Sequence, residues 1–223
     1  MKKITLLTAL LFSFGAFSQT NRQQIQTYLD NNRAKFNLTQ SDISDWAIEN
    51  EVYAEGTKIT SCYIVQKYQG IEIFNAQSNV SVKDGKVIHL ANNFKSNIAQ
   101  KVNATTPSLT VIQSISTAYS LLGITSLGSF SVVERINNNT YKLSDGIQED
   151  LISAKLVYQS SIDQELKLAW AFQFYSPDAK HLWDLRIDAN SGAILAKNDL
   201  TLSCNFGDAK SKNNNTGINF SFE

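Results

Sequence analysis

His89 and His181 are the chain's only two imidazoles, and Cys62 and Cys204 its only two thiols. A zinc hydrolase of the HExxH type needs two histidines one helical turn apart, with a glutamate between them to activate water. Here each histidine stands in an alternating stretch with no second His, Cys or Glu at ligand spacing, so both read as surface or packing residues. The run "GITSLGS", Gly123 to Ser129, imitates the glycine spacing of a phosphate loop. Ser129 occupies the lysine position, however, and the helical pattern precedes the loop instead of following it. No GxSxG elbow, CxxC pair or GxGxxG turn occurs, which leaves nucleophilic, redox and dinucleotide chemistry without local support. Glu149 and Asp150 read as solvated loop charges. The expectation is therefore a chain with no catalytic residue, no metal ligand and no cofactor of its own.

The amino terminus suggests where such a chain works. Lys2 and Lys3 precede an apolar run from Ile4 to Phe17, and small residues Ala16 and Ser18 sit where a signal peptidase reads. The run is shorter than the roughly 20 residues that span a bilayer, so residues 1–18 read as an export signal, with Gln19 as the first mature residue and a secreted or periplasmic destination. Charge is balanced, 20 basic against 20 acidic residues, which argues against nucleic acid as a partner, since phosphate binders concentrate Lys and Arg on one face. Export also brings an oxidising compartment, where Cys62 and Cys204 are able to close a disulfide; two buried thiols, or pairing with another segment, are the alternatives.

Stepping along the pattern, Asn21 and Gln24 resemble a capping pair before Ile25, Tyr28, Leu29 and Phe36, which predicts a helix over about 22–36. Alternating strands follow at about 46–53, 58–68 and 71–82, and the "KDGK" turn returns the chain at 87–91. The polar stretch 96–107 reads as a linker. Thr110 and Gln113 form a second capping box, with Ile112, Ile115, Tyr119 and Leu122 on one helical face up to Gly123. Strands then run to the end; in "ELKLAWAFQFY" Leu166, Leu168, Trp170, Phe172 and Phe174 share a side that must be buried. The fold class this predicts is α+β, two small units each with a helix packed on an antiparallel sheet of hairpins.

Residues Asn37 to Phe94 contain Leu38, Thr39, Asp42, Gln66, Tyr68, Gly70, Ile71, Ile73, Phe74, Asp84, Gly85, Lys86 and Val87. In that order they resemble the fungalysin/thermolysin propeptide (FTP) domain: a Leu-Thr turn with a following Asp, a strand ending in Gln and an aromatic, a Gly-Ile strand start, and an Asp-Gly-Lys-Val hairpin. Ala154 to Asp199, with its Leu-Ala-Trp strand and its Asp188-to-Gly192 turn, is similar to the PepSY-like half of fungalysin-type pro-regions. Together the resemblance spans about Asn37 to Phe206. It implies an FTP-like domain at 19–95, the linker at 96–107, a PepSY-like domain at 108–206, and a polar tail at 207–223 leading towards an absent peptidase domain.

What the resemblance implies is a pro-region, an intramolecular chaperone and temporary inhibitor of a secreted zinc metallopeptidase, with the zinc held by the catalytic domain alone. The chain would work by contact with that domain and be clipped off, Lys210 and Lys212 being candidate processing points. The alternative is a free-standing exported inhibitor or binding module with the same folds. Gln66, Tyr68, Gly70, Ile71, Phe74, Asp84, Gly85, Trp170, Asp188 and Gly192 are the candidate contact or motif residues, although each also has a local reading: the glycines and aspartates as turn formers, Ile71 and Trp170 as core. Cys204 as a zinc-blocking thiolate is the weaker idea, because "LSCNFG" lacks the switch motif such zymogens use.

Overall fold

A computed structural model describes residues 20–126 and 128–201. The chain opens with helix α1 (Asn21–Asn32) and a 3-10 turn (Arg33–Phe36), which Asn37 closes in the left-handed conformation, followed by a second 3-10 turn (Ser41–Ile43) that carries Asp42. The cap lies one residue earlier than the sequence pattern suggests. Thr20 Oγ1 accepts from Gln23 N, and Gln23 Oε1 accepts from Thr20 N at 3.1 Å. This choice leaves the Asn21 side chain to donate to Glu51 at 3.3 Å, and both caps serve equally well chemically.

Four strands follow: β1 (Trp46–Ala54), β2 (Ile59–Tyr68), β3 (Ile71–Lys83) and β4 (Lys86–Ala91). They meander antiparallel through two tight turns, at Gln69–Gly70 and Asp84–Gly85. In both turns the two central residues have positive φ, the geometry whose twist matches paired strands. A short helix α2 (Ile98–Lys101) and helix α3 (Val111–Leu121) come next. The expected capping box of Thr110 and Gln113 holds the start of α3. At its end Gly123 N donates to Ser120 O, and Ile124 N to Tyr119 O, the paired bonds of a glycine-terminated helix.

Strands β5 (Ser131–Asn137), β6 (Thr140–Ser144), β7 (Ile152–Ser160), β8 (Leu166–Tyr175), β9 (Leu182–Asp188) and β10 (Ile194–Asp199) complete the fold. All ten strands belong to one mostly antiparallel sheet, and this corrects the expectation of two separate ones. The join is a short parallel pairing of Glu72 and Ile73 in β3 with Val157 and Tyr158 in β7.

A large bulge makes the join feasible. Between the pairs Val65–Gln77 and Lys67–Glu72, residues 73–76 of β3 face the single Gln66 of β2, with Asn75 at φ 58°. Across that bulge the buried side changes from odd to even positions, so one strand serves two cores. Ile71, Ile73 and Ala76 lie in a core with α3 and with Leu166, Leu168, Trp170, Phe172 and Phe174 of β8. Val80 and Val82 lie in the other, with Ile25, Leu29, Trp46, Cys62 and Ile64. The stretch 96–107 packs closely: Ile98 is buried in the core that α3 and β8 share, Val102 bridges to Leu166, and Asn103 Oδ1 accepts from Leu168 N at 2.9 Å.

Candidate functional site

Asp42 and Gln66 are polar residues with no exposure at all, so their hydrogen bonds must be made internally. The Asp42 carboxylate accepts from three backbone amides, Thr39 at 2.7 Å and Asn97 and Ile98 at 2.9 Å. Gln66 Nε2 donates to the carbonyls of Asp42 and Lys95, both at 2.8 Å, while its Oε1 accepts from Lys95 N at 2.6 Å. Two side chains thus clamp the segment leaving β4 and the start of α2 onto β2. Position 66 is fixed as a buried clamp with both its amide N–H groups and its oxygen engaged, which removes it from any external surface.

The other motif residues divide by location. Tyr68 sits edge-on to Tyr158, centroids 6.2 Å apart, against the core that α3 and β8 share. Phe74 covers the buried Arg186 guanidinium at 3.7 Å from its ring centre, and Arg186 Nη1 donates to Asp184 at 2.7 Å. Asp84 and Gly85 lie at the far end of β3, roughly 40 Å of strand from Gly70. Asp188 Oδ1 accepts from Asn190 N at 2.8 Å and Ser191 N at 2.9 Å, closing the β9–β10 turn, in which Gly192 has φ 77° against Thr117 and Leu109. His181 Nδ1 lies 2.6 Å from Asp199 Oδ2 and the ring stacks on Trp183. Cys62 is buried, with Sγ 3.6 Å from Glu51. Burial first, and Glu51 second, push its thiol up to about 11. Cys204, Lys210, Lys212 and the export signal fall outside the described residues.

Gly70, Ile71 and Trp170 are the candidates that the fold brings together. They line a cleft of about 810 Å³ where the β2–β3 turn meets the β5–β6 turn. Asn139 joins the two turns: its Nδ2 donates to Gly70 O at 3.2 Å, and its carbonyl accepts from Leu156 N at 2.7 Å. Gly70 N in turn donates to Asp45 at 2.7 Å. The Lys155–Glu72 ion pair, 2.5 Å, spans the junction on one wall. Trp170 and Tyr141 meet edge-on with centroids 5.7 Å apart, and Trp170 Nε1 is tied to Leu109 O at 3.0 Å. Thr105, Thr106 and Pro107 contribute the remaining wall. Both halves of the chain and the segment between them are needed to make this cleft. Sequence reading missed the Asn137–Asn139 contribution, because an asparagine run looks like any polar turn.

The sheet's edges are less available than a hairpin protein would suggest. β1, β4, β5 and β10 each pair on one side only, and each carries an extra residue relative to its partner: Glu49, Ile88, Val133 with Ile136, and Leu195. Bulges of this kind twist an edge away from regular strand addition. Among the described residues no group of three His, Cys, Asp or Glu is placed to hold a metal ion, and no helix is long and apolar enough to cross a membrane.

Comparison with known proteins places part of this architecture. Residues 44–94 match the Fungalysin/Thermolysin Propeptide Motif, a stretch that includes β1 to β4 and the Gln66 clamp. No curated protein matches the chain. Among solved structures, the Bacillus megaterium YpeB C-terminal domain is similar, with 11% identity and a TM-score of 0.35 over 81% of this chain. The matched region spans 64% of that domain's length.

Proposed function

We propose that the chain is the pro-region of a secreted fungalysin-type zinc metallopeptidase, acting as folding template and temporary inhibitor and performing no bond chemistry itself. The match of residues 44–94 to the propeptide motif carries this reading. The fold is consistent with it in a physical way: Gln66, inside the matched stretch, and Asp42, just before it, spend their hydrogen bonds on fixing the segment that leads from β4 into the second half. A rigid surface of this kind can favour one conformation of a partner by shape alone. While the two are tethered, an effective concentration on the order of millimolar lets a modest interface hold; cleavage of the tether lowers it and releases the enzyme. In this reading residues 1–18 direct export, the zinc belongs to the peptidase domain, residues 19–95 and 108–206 are the FTP-like and PepSY-like portions of the pro-region, and processing falls at Lys210 or Lys212.

Steady-state inhibition tests the proposal. Residues 19–223 added to an active fungalysin-type peptidase at micromolar concentration should lower the rate on a peptide substrate in a saturable way. The inhibition should fade as the enzyme degrades the added chain. A rate that stays unchanged across that concentration range overturns the reading.

A further inference from the structure

We propose that the cleft between the β2–β3 and β5–β6 turns binds an extended stretch of unfolded polypeptide backbone, recognised by side-chain amides and largely without regard to sequence. The inference deepens the pro-region reading, on which it rests for the identity of the natural occupant: a peptidase domain that has not yet folded offers such stretches.

The lining argues for this ligand class. At about 810 Å³ the cleft lies within the roughly 300–1,000 Å³ of ordinary ligand sites, and it is walled by two turns and the segment 105–107, so a chain segment has groups to meet on several sides. Its acids are engaged internally, Glu72 with Lys155 at 2.5 Å and Glu49 with Gln77 at 3.4 Å. A cationic ligand therefore finds no free carboxylate there, while Lys67 on the same lining adds a donor for carbonyl oxygens. Asn137 and Asn138 use their Oδ1 atoms, which accept from Asn139 N at 2.8 Å and Arg135 Nη2 at 2.9 Å. Their NH2 groups remain as donors for carbonyls, and Gln69, Thr105 and Thr106 add amide and hydroxyl groups on the same lining. Amides and hydroxyls that donate and accept at once match the repeating C=O and N–H of a peptide. Apolar contact comes from the Trp170–Tyr141 pair beneath them.

The edges supply the complementary argument. A flat unpaired strand would capture an extended chain by strand addition, but all four edge strands carry bulges. The cleft offers polar groups to a backbone without a regular edge, so binding there does not seed further sheet growth.

The test uses carboxymethylated α-lactalbumin, a permanently unfolded chain, labelled with fluorescein and titrated with residues 19–223 by anisotropy. Two cleft-filling variants, Thr106→Trp and Asn138→Trp, replace exposed residues, and Lys86→Trp at the far hairpin is the control. Circular dichroism and urea midpoints establish that all three fold. We expect micromolar binding by the parent and the control, and at least tenfold weaker binding by each cleft variant. A photo-crosslinker at position 138 should attach to the unfolded probe. Absence of binding by the parent, or equal binding by all variants, overturns the inference. The pro-region reading fails separately: if the cleft variants inhibit the peptidase as well as the parent does yet bind the probe equally, the cleft inference falls and the pro-region reading stands. Loss of probe binding in the variants, with no effect of any form on the peptidase, supports the cleft and removes its natural occupant.

Discussion

Replacing Asp42 by Asn should be among the most damaging near-isosteric changes available in this chain. The carboxylate accepts three backbone N–H groups, and Oδ2 alone takes two of them, from Thr39 and Asn97. If the new amide keeps its oxygen towards Ile98, its NH2 meets those two donors face to face. Hydrogen bonds to a charged group contribute about 1.5–3 kcal/mol each, so losing two costs about 3–6 kcal/mol. The alternative flip saves those two bonds and orphans Ile98 N instead, inside a site with no access to water. The cheaper flip sets the cost, about 1.5–3 kcal/mol, a large share of the roughly 5–15 kcal/mol that domains of this size typically have. Equilibrium urea unfolding by tryptophan fluorescence reads the loss as a lower midpoint, and amide exchange reads it locally at Asn97 and Ile98. A loss below about 1 kcal/mol, with Ile98 still protected, would refute the claim that the clamp holds the two halves together.

Gln66→Met, similar in length but apolar, leaves the carbonyls of Asp42 and Lys95 and the Lys95 amide without partners; a loss of about 3 kcal/mol or more in the same urea assay is expected. Phe74→Ala uncovers the buried Arg186 guanidinium and removes its cation–π contact, with an expected loss of about 1–3 kcal/mol in thermal unfolding. Two glycines with the same φ of 77° separate strain from crowding. Gly70→Ala meets nothing within 4 Å and should cost about 1 kcal/mol. Gly192→Ala also presses on Thr117 at 3.3 Å and Leu109 at 3.4 Å, and should cost more. Asp199 is held down to about 2, first by its bond with His181 and then by Thr201. Its folded value lies below its unfolded one, so its contribution is complete above about pH 4 and is lost as the pH falls towards 2. Carboxyl NMR titration checks this, and His181→Gln should move the Asp199 midpoint upward.

Local pattern was readable where one rule decided the outcome. The Thr110–Gln113 box, the Asp84–Gly85 turn and the buried face from Leu166 to Phe174 follow from capping, turn geometry and two-residue alternation. The single sheet was not readable, because the strand that unites it breaks its own alternation. Ile71 and Ile73 point to one core and Val80 and Val82 to the other, and nothing in "IEIFNAQSNV" announces a four-residue bulge. Polarity misled in the stretch 96–107, where Ile98 is buried and the surrounding Asn and Thr residues are loop-like in type but packed in place. The motif residues themselves were legible as a group, while their division into clamp, turn and cleft depended on contacts such as Asn139 to Gly70, which link positions 69 residues apart.

The proposed role is action on another polypeptide by shape. Its most direct measurement is the refolding yield of a guanidine-denatured fungalysin-type catalytic domain diluted into zinc and calcium, with and without an equimolar amount of residues 19–223. Several-fold more recoverable peptidase activity is expected once the added chain has been degraded, and a smaller gain from the destabilised Asp42→Asn variant. Equal yields with and without the intact chain would contradict it.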